Sequence, residues 1–541
     1  MAFGIPFTIT IALLAIVAFK VGPALVRPWL SPLKQLPGPP NPSWLFGHFR
    51  QKFTTDNLLK QEQWVEKYGN NIVLNAMFGA QRLYTHDLKA LNHVLTHSTE
   101  YRKPLFTKFT LSSILGKGVL VAEGEQHKIQ RRAMNPAFGT PQVRELTEII
   151  VDKASELRDL WKTKLSSEGK PTRINVLDGL SRMALDVIGL AGFDYDFGAL
   201  NPDPSKPNEL NTAFKTIFEE NESALLAMAR IFIPPLRLLP TERSRRVDGA
   251  LKTMHRIGME LIQQKKAAIL SETSGSVEKS DFQGKDLLSL LIKANMASDV
   301  PENMRMSDED VLAQVPTFIV AGHETTATAV TWCLYSLSQA PEVQMKLRKE
   351  LLQVTHSTPS MEELTVTALP YLDMVVRETL RLHAPVPQTI RVAEKDDQIP
   401  VSTPYKDRNG VERDSIQIAK GDLVAIPIAA VNRDKHIWGE GAFEFRPERW
   451  ENLPEAVAGM PGVWGHVLSF LDGPRACIGY RFALIEIKAL LFTLIRTFEF
   501  DLAVKPEDVS KFTTIVQRPV VLSEPENGSQ MPLLVKLHHA A

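Results

Sequence analysis

The sequence predicts a mainly α-helical body with a minor β-sheet, preceded by one N-terminal transmembrane helix. Apolar residues recur at three- and four-residue steps through 143–164 and 252–270, the period of a helix with one buried face. Strand-like pieces are few and short, near 72–78, 83–85, 416–418 and 423–428. The first 19 residues carry no charged side chain. Of 541 residues, 44% are hydrophobic and 23% charged, enough apolar material for a large core. Lys and Arg total 62, as do Asp and Glu, so no basic excess exists to neutralise phosphates. Disordered, collagenous and strongly nucleic-acid-binding chains are thereby excluded.

The elements follow in chain order. The run 9–19 is almost purely apolar; Lys20 interrupts it and 21–26 extends it before Arg27. With Lys20 snorkelling at the edge, this length spans roughly 30 Å of hydrocarbon. A cleaved signal peptide carries its positive charge ahead of the apolar stretch, whereas Lys20, Arg27 and Lys34 follow it. The positive-inside bias then keeps the rest of the chain cytoplasmic. Residues 1–26 are read as a single-pass anchor and 27–42 as an extended linker stiffened by Pro37, Pro39, Pro40 and Pro42. The body is 43–541, with polar surface loops at 201–208 and 271–280.

The longest helical candidate starts at Ser307, capped through Asp310, and runs to Leu337, with Pro341 beyond its end and Pro316 expected to kink it. Within it lies Ala321-Gly322-His323-Glu324-Thr325-Thr326, four polar residues inside an apolar helix. Gly322 costs about 1 kcal/mol relative to Ala there, which suggests a helix that something flat approaches closely. Two cysteines occur, Cys333 and Cys477, too few for a disulfide framework or a four-cysteine zinc site. Cys333 falls in the same apolar helix and is read as core. His93 and His97 share a helix face, but no acid lies between them in the zincin arrangement, and a metal site there is set aside. No Gly-x-Gly-x-x-Gly after a strand and no Gly-Lys-Ser loop is present, so electrons for any redox chemistry must come from a partner.

Phe470-Leu471-Asp472-Gly473-Pro474-Arg475-Ala476-Cys477-Ile478-Gly479 reads as a tight loop leading into a helix over 482–494. A thiolate near a helix N-terminus should have its pKa lowered, and Arg475 is placed to bind an anionic group beside it. Phe470, Gly473, Arg475, Cys477 and Gly479 complete a Phe-x-x-Gly-x-Arg-x-Cys-x-Gly pattern that resembles the haem loop of the cytochrome P450 family. Further motifs follow that family in order. Residues 321–326 resemble its oxygen-binding helix motif, Glu378-Thr379-Leu380-Arg381 its Glu-x-x-Arg motif, and 445–450 its downstream Pro-Glu-Arg segment. The likeness runs from Pro37 to the C-terminus, and somewhat towards fungal members.

The resemblance implies a membrane-anchored haem-thiolate monooxygenase that inserts one atom of O2 into an apolar organic substrate. Cys477 becomes the axial ligand of haem b, pushing electron density toward O–O cleavage. Glu324 and Thr325 match the acid–alcohol pair that controls proton delivery. His127, Arg131, Arg391 and Arg475 match propionate-binding positions, with His127 where the family usually has tryptophan, and Phe470 lies in the haem loop. Glu378, Arg381 and Arg449 are implied to form a structural charge cluster. The implied partner is an NADPH-dependent cytochrome P450 reductase, met by a basic face of Lys128, Arg132, Arg481 and Lys488. The implied location is the endoplasmic reticulum membrane, with the catalytic domain cytoplasmic. Pocket segments are expected at 105–117, 211–239, 318–325, 385–390 and 512–516, and 227–239 is either core or a second membrane contact. The same haem serving an oxygen-independent isomerisation or dehydration is the enzymatic alternative, and a non-catalytic haem carrier or sensor the other.

Overall fold

The computed structural model describes residues 30–48, 57–166, 169–205, 207–218, 230, 241–272, 286–297 and 301–538. The expected anchor and all but Arg230 of the 227–239 loop lie outside these residues. Among the described residues no helix is long and apolar enough to cross a membrane. The body is mainly helical with small sheets, and it divides into two compact units. The first comprises Met1–Pro104, Pro387–Phe443 and Pro454–Ala476; the second comprises Leu105–Val386, Glu444–Leu453 and Cys477–Ala541.

The first unit holds a five-stranded sheet in the order Asn71–Asn75, Gln81–Thr85, Leu423–Ile426, Thr389–Ala393, Tyr101–Arg102. Only the pairing of Gln81–Thr85 with Leu423–Ile426 is parallel. Ile72, Leu74 and Tyr84 pack with Val65 and Ala425, and Val73 between them is buried too, so Asn71–Asn75 is covered on both faces. A separate two-stranded ribbon pairs Asp397–Lys406 with Glu412–Ile418. Its first strand contains Pro400 and Pro404, which argue against a central strand; in a two-stranded ribbon both strands are edges and tolerate them. The segment expected as a spacer is tied down. Ser31 Oγ donates to Asp422 Oδ2 at 2.8 Å and Val73 N donates to Pro37 O at 2.9 Å. A Cβ on Gly38 would lie 2.4 Å from Val73 O, so glycine there permits the close docking.

In the second unit the helix Gln314–Ser338 is buried along most of its length and packs against Val176–Phe193, Pro370–Leu382 and Tyr480–Thr497. The Ser307 cap forms as expected: its Oγ accepts from Asp310 N at 3.1 Å. The single helix over 307–337 does not. Asp308–Leu312 ends and Gln314–Ser338 begins around Ala313. Pro316 has no N–H for the Leu312 carbonyl, and its ring crowds that carbonyl. Gln314 adapts to the break, its side chain donating to Asp310 O at 2.7 Å. The longest described helix is instead Glu242–Glu272.

Gly322 is explained differently from the expectation. A Cβ there would lie 2.8 Å from Ile188 Cγ1, so the close neighbour is the helix Val176–Phe193. The glycine serves helix crossing, which needs a gap for the facing ridge. Cys333 is fully buried, and burial pushes its thiol up to about 12, as expected of core.

Candidate active site

In the first unit, the loop ahead of Cys477 is shaped by its own polar groups. Asn432 Oδ1 accepts from Leu468 N at 2.9 Å and its amide donates to Ser469 Oγ at 2.9 Å. Asp472 accepts from Gly473 N at 2.7 Å and from Gly462 N at 3.1 Å. Pro474 fits the 3-10 turn Gly473–Arg475, whose opening N–H groups need no helical partner. Phe470 stands edge-on to Trp464, with centroids 5.8 Å apart. Arg475 is half-buried, and Arg391 is buried with Nη1 donating to Thr389 Oγ1 and Ile390 O, each at 2.9 Å.

Gly473 has φ +66, and a Cβ on it would lie 2.5 Å from Leu95 O, a backbone atom. Gly473→Ala therefore combines a left-handed penalty of about 1–2 kcal/mol with a clash against main chain. Gly410, at φ +78 with nothing within 4 Å of an added Cβ, isolates the first part. Gly473→Ala should lower the thermal midpoint clearly more than Gly410→Ala, as read by scanning calorimetry.

In the second unit, Cys477 is a free cysteine with accessible surface, two residues before Gly479, which N-caps Tyr480–Thr497. The expected lowering of its pKa is not what the structure gives. Burial by the surrounding protein pushes the thiol up, and the Gly479 N–H and Arg131 pull it back without reversing the sign. Arg131 lies on the helix Gly124–Met134, one turn after the buried His127, and donates to Asn135 Oδ1 at 3.1 Å. Burial lowers its pKa, and the charge of Cys477 opposes that.

Along Gln314–Ser338 the burial opens at one place: Ala321 is exposed, and Glu324 and Thr325 are partly so. Thr325 Oγ1 donates to Ala321 O at 2.7 Å, leaving its oxygen as an acceptor. Glu324 pairs with Arg518 of the strand Gln517–Val521. Thr326, on the buried side, hydrogen-bonds the carboxyl of Glu486 from Tyr480–Thr497. Burial pushes Glu486 up to about 8, and its Oε1 has no hydrogen-bond partner. Sequence reasoning missed both partners. Glu486 left a signal, an acid inside the apolar run 482–494; Arg518 left none.

Glu378 and Arg381 are fully buried, and the expected cluster is present. Glu378 binds Arg381 bidentately at 2.9 Å and Arg449 Nε at 2.7 Å, and also accepts from Trp450 Nε1 at 3.1 Å. Lys488 corrects the basic face: it is buried and donates to Asp373 Oδ1 at 2.6 Å and Leu364 O at 3.1 Å. Lys128, Arg132 and Arg481 are exposed. His93 Nε2 contacts Asp397 Oδ2 at 2.8 Å.

Among the described residues no cluster of three or more His, Cys, Asp or Glu could hold a metal. The accessible Cys477 sulfur, and the open strip at Ala321, Glu324 and Thr325 on the core helix Gln314–Ser338, suit a flat group whose metal takes a thiolate, as in the class of haem-thiolate proteins. The family described as cytochrome P450 matches residues 37–524. Two proteins of Postia placenta, cytochrome P450 monooxygenases 205 and 128, are 55% and 52% identical to this chain. The matches cover 99% of it in both cases, and 99% and 98% of the relatives. Cytochrome P450 monooxygenase claQ of Ampulloclitocybe clavipes is 38% identical over 93% of this chain and 92% of its own. The chain belongs to the cytochrome P450 family, among its monooxygenases, whose cofactor is haem with an axial cysteine thiolate.

Proposed function

We infer that the chain is a membrane-anchored monooxygenase that places one atom of O2 in an apolar organic substrate. The other atom leaves as water, with electrons from an NADPH-dependent reductase. The observation that carries this reading is Cys477, accessible at the head of a core helix, with the Gly479 N–H bonded to its sulfur and the charge of Arg131 acting on it. When bound, haem b supplies the redox-active iron that activates O2. Cys477 would hold the iron through its thiolate, as the family's cysteine does. Because the free thiol is raised, ligation releases a proton, and the Gly479 N–H tempers the sulfur's charge. Phe470 packs in the haem loop. By the family resemblance, His127, Arg131, Arg391 and Arg475 are the residues that would hold the propionates.

Thr325 offers its oxygen as acceptor because its proton is committed to Ala321 O. Glu324 exchanges protons with water. Exposed apolar side chains at Leu105, Phe106, Phe512 and Ile515 support an apolar substrate. The uncharged stretch 1–19 supports a single-pass anchor in the endoplasmic reticulum membrane with the body cytoplasmic. Exposed Lys128, Arg132 and Arg481 support reductase docking by charge.

The test is the reduced, carbon-monoxide-bound spectrum of the purified protein, followed by labelled-oxygen incorporation with reductase and NADPH across a panel of apolar compounds. A thiolate-type spectrum and one labelled atom per product are expected. A thiolate spectrum with no product and no substrate-dependent NADPH consumption would leave a haem carrier instead.

A further inference from the structure

We propose that Arg518 is a positioning residue that withholds Glu324 from the proton path until substrate occupies the hairpin beside it. This rests on the role given to Glu324 above. Adjacent residues on a helix do not face each other, and here they point to different partners. Thr325 is bonded back to Ala321 O, while Glu324 is drawn to Arg518, whose side chain is 31% exposed against 11% for Glu324. The carboxylate is thus turned toward the hairpin and away from the hydroxyl it would serve.

Arg518 acts from a fixed base. Its neighbour Gln517 donates its N–H to Pro385 O at 2.8 Å and accepts from Trp332 Nε1, on the same helix as Glu324, at 3.0 Å. The backbone beside Arg518 is therefore registered to that helix, and only the side chain is left to move. The hairpin pairs Val509–Thr513 with Gln517–Val521, and Arg518 stands directly opposite Phe512, on the same face. Phe512 is 42% exposed and Ile515, in the turn, 38% exposed. An apolar compound settling on those side chains competes for the space of the partly exposed arginine and displaces it from the carboxylate. The same event that signals substrate then frees the acid. The pair would make different contacts with and without substrate, which is what a substrate-linked switch requires.

The experiment uses the full-length holoenzyme with reductase and compares Arg518→Leu, Arg518→Lys, Glu324→Gln and Arg518→Leu/Glu324→Gln. One readout is NADPH oxidation without substrate. The other is the thermal unfolding midpoint, which does not depend on turnover. Arg518→Leu should raise substrate-free oxidation about two- to fivefold, the range of a partly exposed ion pair, and Arg518→Lys should restore it. Adding Arg518→Leu to Glu324→Gln should change neither readout further, because the pair is already broken. Fully additive midpoints, or substrate-free oxidation unchanged or lowered by Arg518→Leu, would overturn the proposal. If Glu324→Gln alone left coupled turnover intact, the failure would lie with the acid's role instead. If Glu324→Gln impaired turnover while Arg518→Leu did nothing, the acid's role would stand and the withholding would not.

Discussion

Glu378→Gln should destabilise the protein by about 3–5 kcal/mol, a large part of the 5–15 kcal/mol that holds a typical domain folded. The carboxylate is completely buried and accepts from Arg381, Arg449, Trp450 and the backbone N–H of Arg446. The amide removes a negative charge facing two buried guanidinium groups and aims an N–H₂ at donors that it cannot satisfy. Arg381 and Arg449 also donate to the Glu444 carbonyl, at 3.1 and 3.2 Å, a neutral acceptor that cannot replace the lost charge. The cost is structural because of where the network sits. It pins the short excursion Glu444–Leu453 to the helix Pro370–Leu382, and the chain from there leads directly into the Cys477 loop. Urea denaturation measures the loss as a lower midpoint at unchanged slope. Arg144→Gln, breaking a pair with Glu362 in which both side chains are more than half exposed, should barely move the midpoint in the same assay. Equal midpoints for the two variants would refute the weight placed on the buried cluster.

That network was legible in the sequence because its first two members are three residues apart on one helix, and the third lies in a recognisable segment. The Ser307 cap and the strands Asn71–Asn75, Gln81–Thr85, Glu412–Ile418 and Leu423–Ile426 were legible for the same reason, since each leaves a local pattern, whereas strands such as Thr389–Ala393 and Gln517–Val521 were not read. What escaped depends on partners far along the chain. Arg518 meets Glu324 across 194 residues, and Gly322 is explained only by Ile188 on another helix. Lys488 looked like surface because it is charged. Its helix is covered all round at that point, and Asp373, 115 residues away, is what makes a buried ammonium tolerable. The Cys477 sign failed similarly. Proximity to a helix N-terminus is visible in sequence, but the opposing burial is a property of the packed chain and is the larger effect. The strand Asp397–Lys406 was not read from the sequence; its prolines are tolerated because both strands of a two-stranded ribbon are edges.

Glu486→Gln should stabilise the protein at pH 8 and have little effect at pH 5. The folded carboxyl sits at about 8 against an ordinary value of 4.5, because burial disfavours its charged form and the single bond from Thr326 only partly compensates. Between those values the unfolded chain has lost the proton that the folded chain keeps. The folded state then binds more protons, so stability falls as pH rises through this window. Below about 4.5 both states are protonated and the group contributes nothing; above about 8 both are ionised and the penalty is complete. A gap of about 3.5 between the two values, at about 1.4 kcal/mol for each unit of pH, sets a ceiling of about 5 kcal/mol. Glutamine keeps an acceptor for Thr326 and never charges, so its stability lacks this slope. Other raised carboxyls such as Asp186 and Glu350 titrate in both proteins and cancel in the difference. Urea midpoints of the two proteins at pH 5, 6.5 and 8 should therefore diverge steadily with pH. A difference that stayed constant across that range would mean that the carboxyl is already ionised in the fold, with a partner other than Thr326 holding its charge.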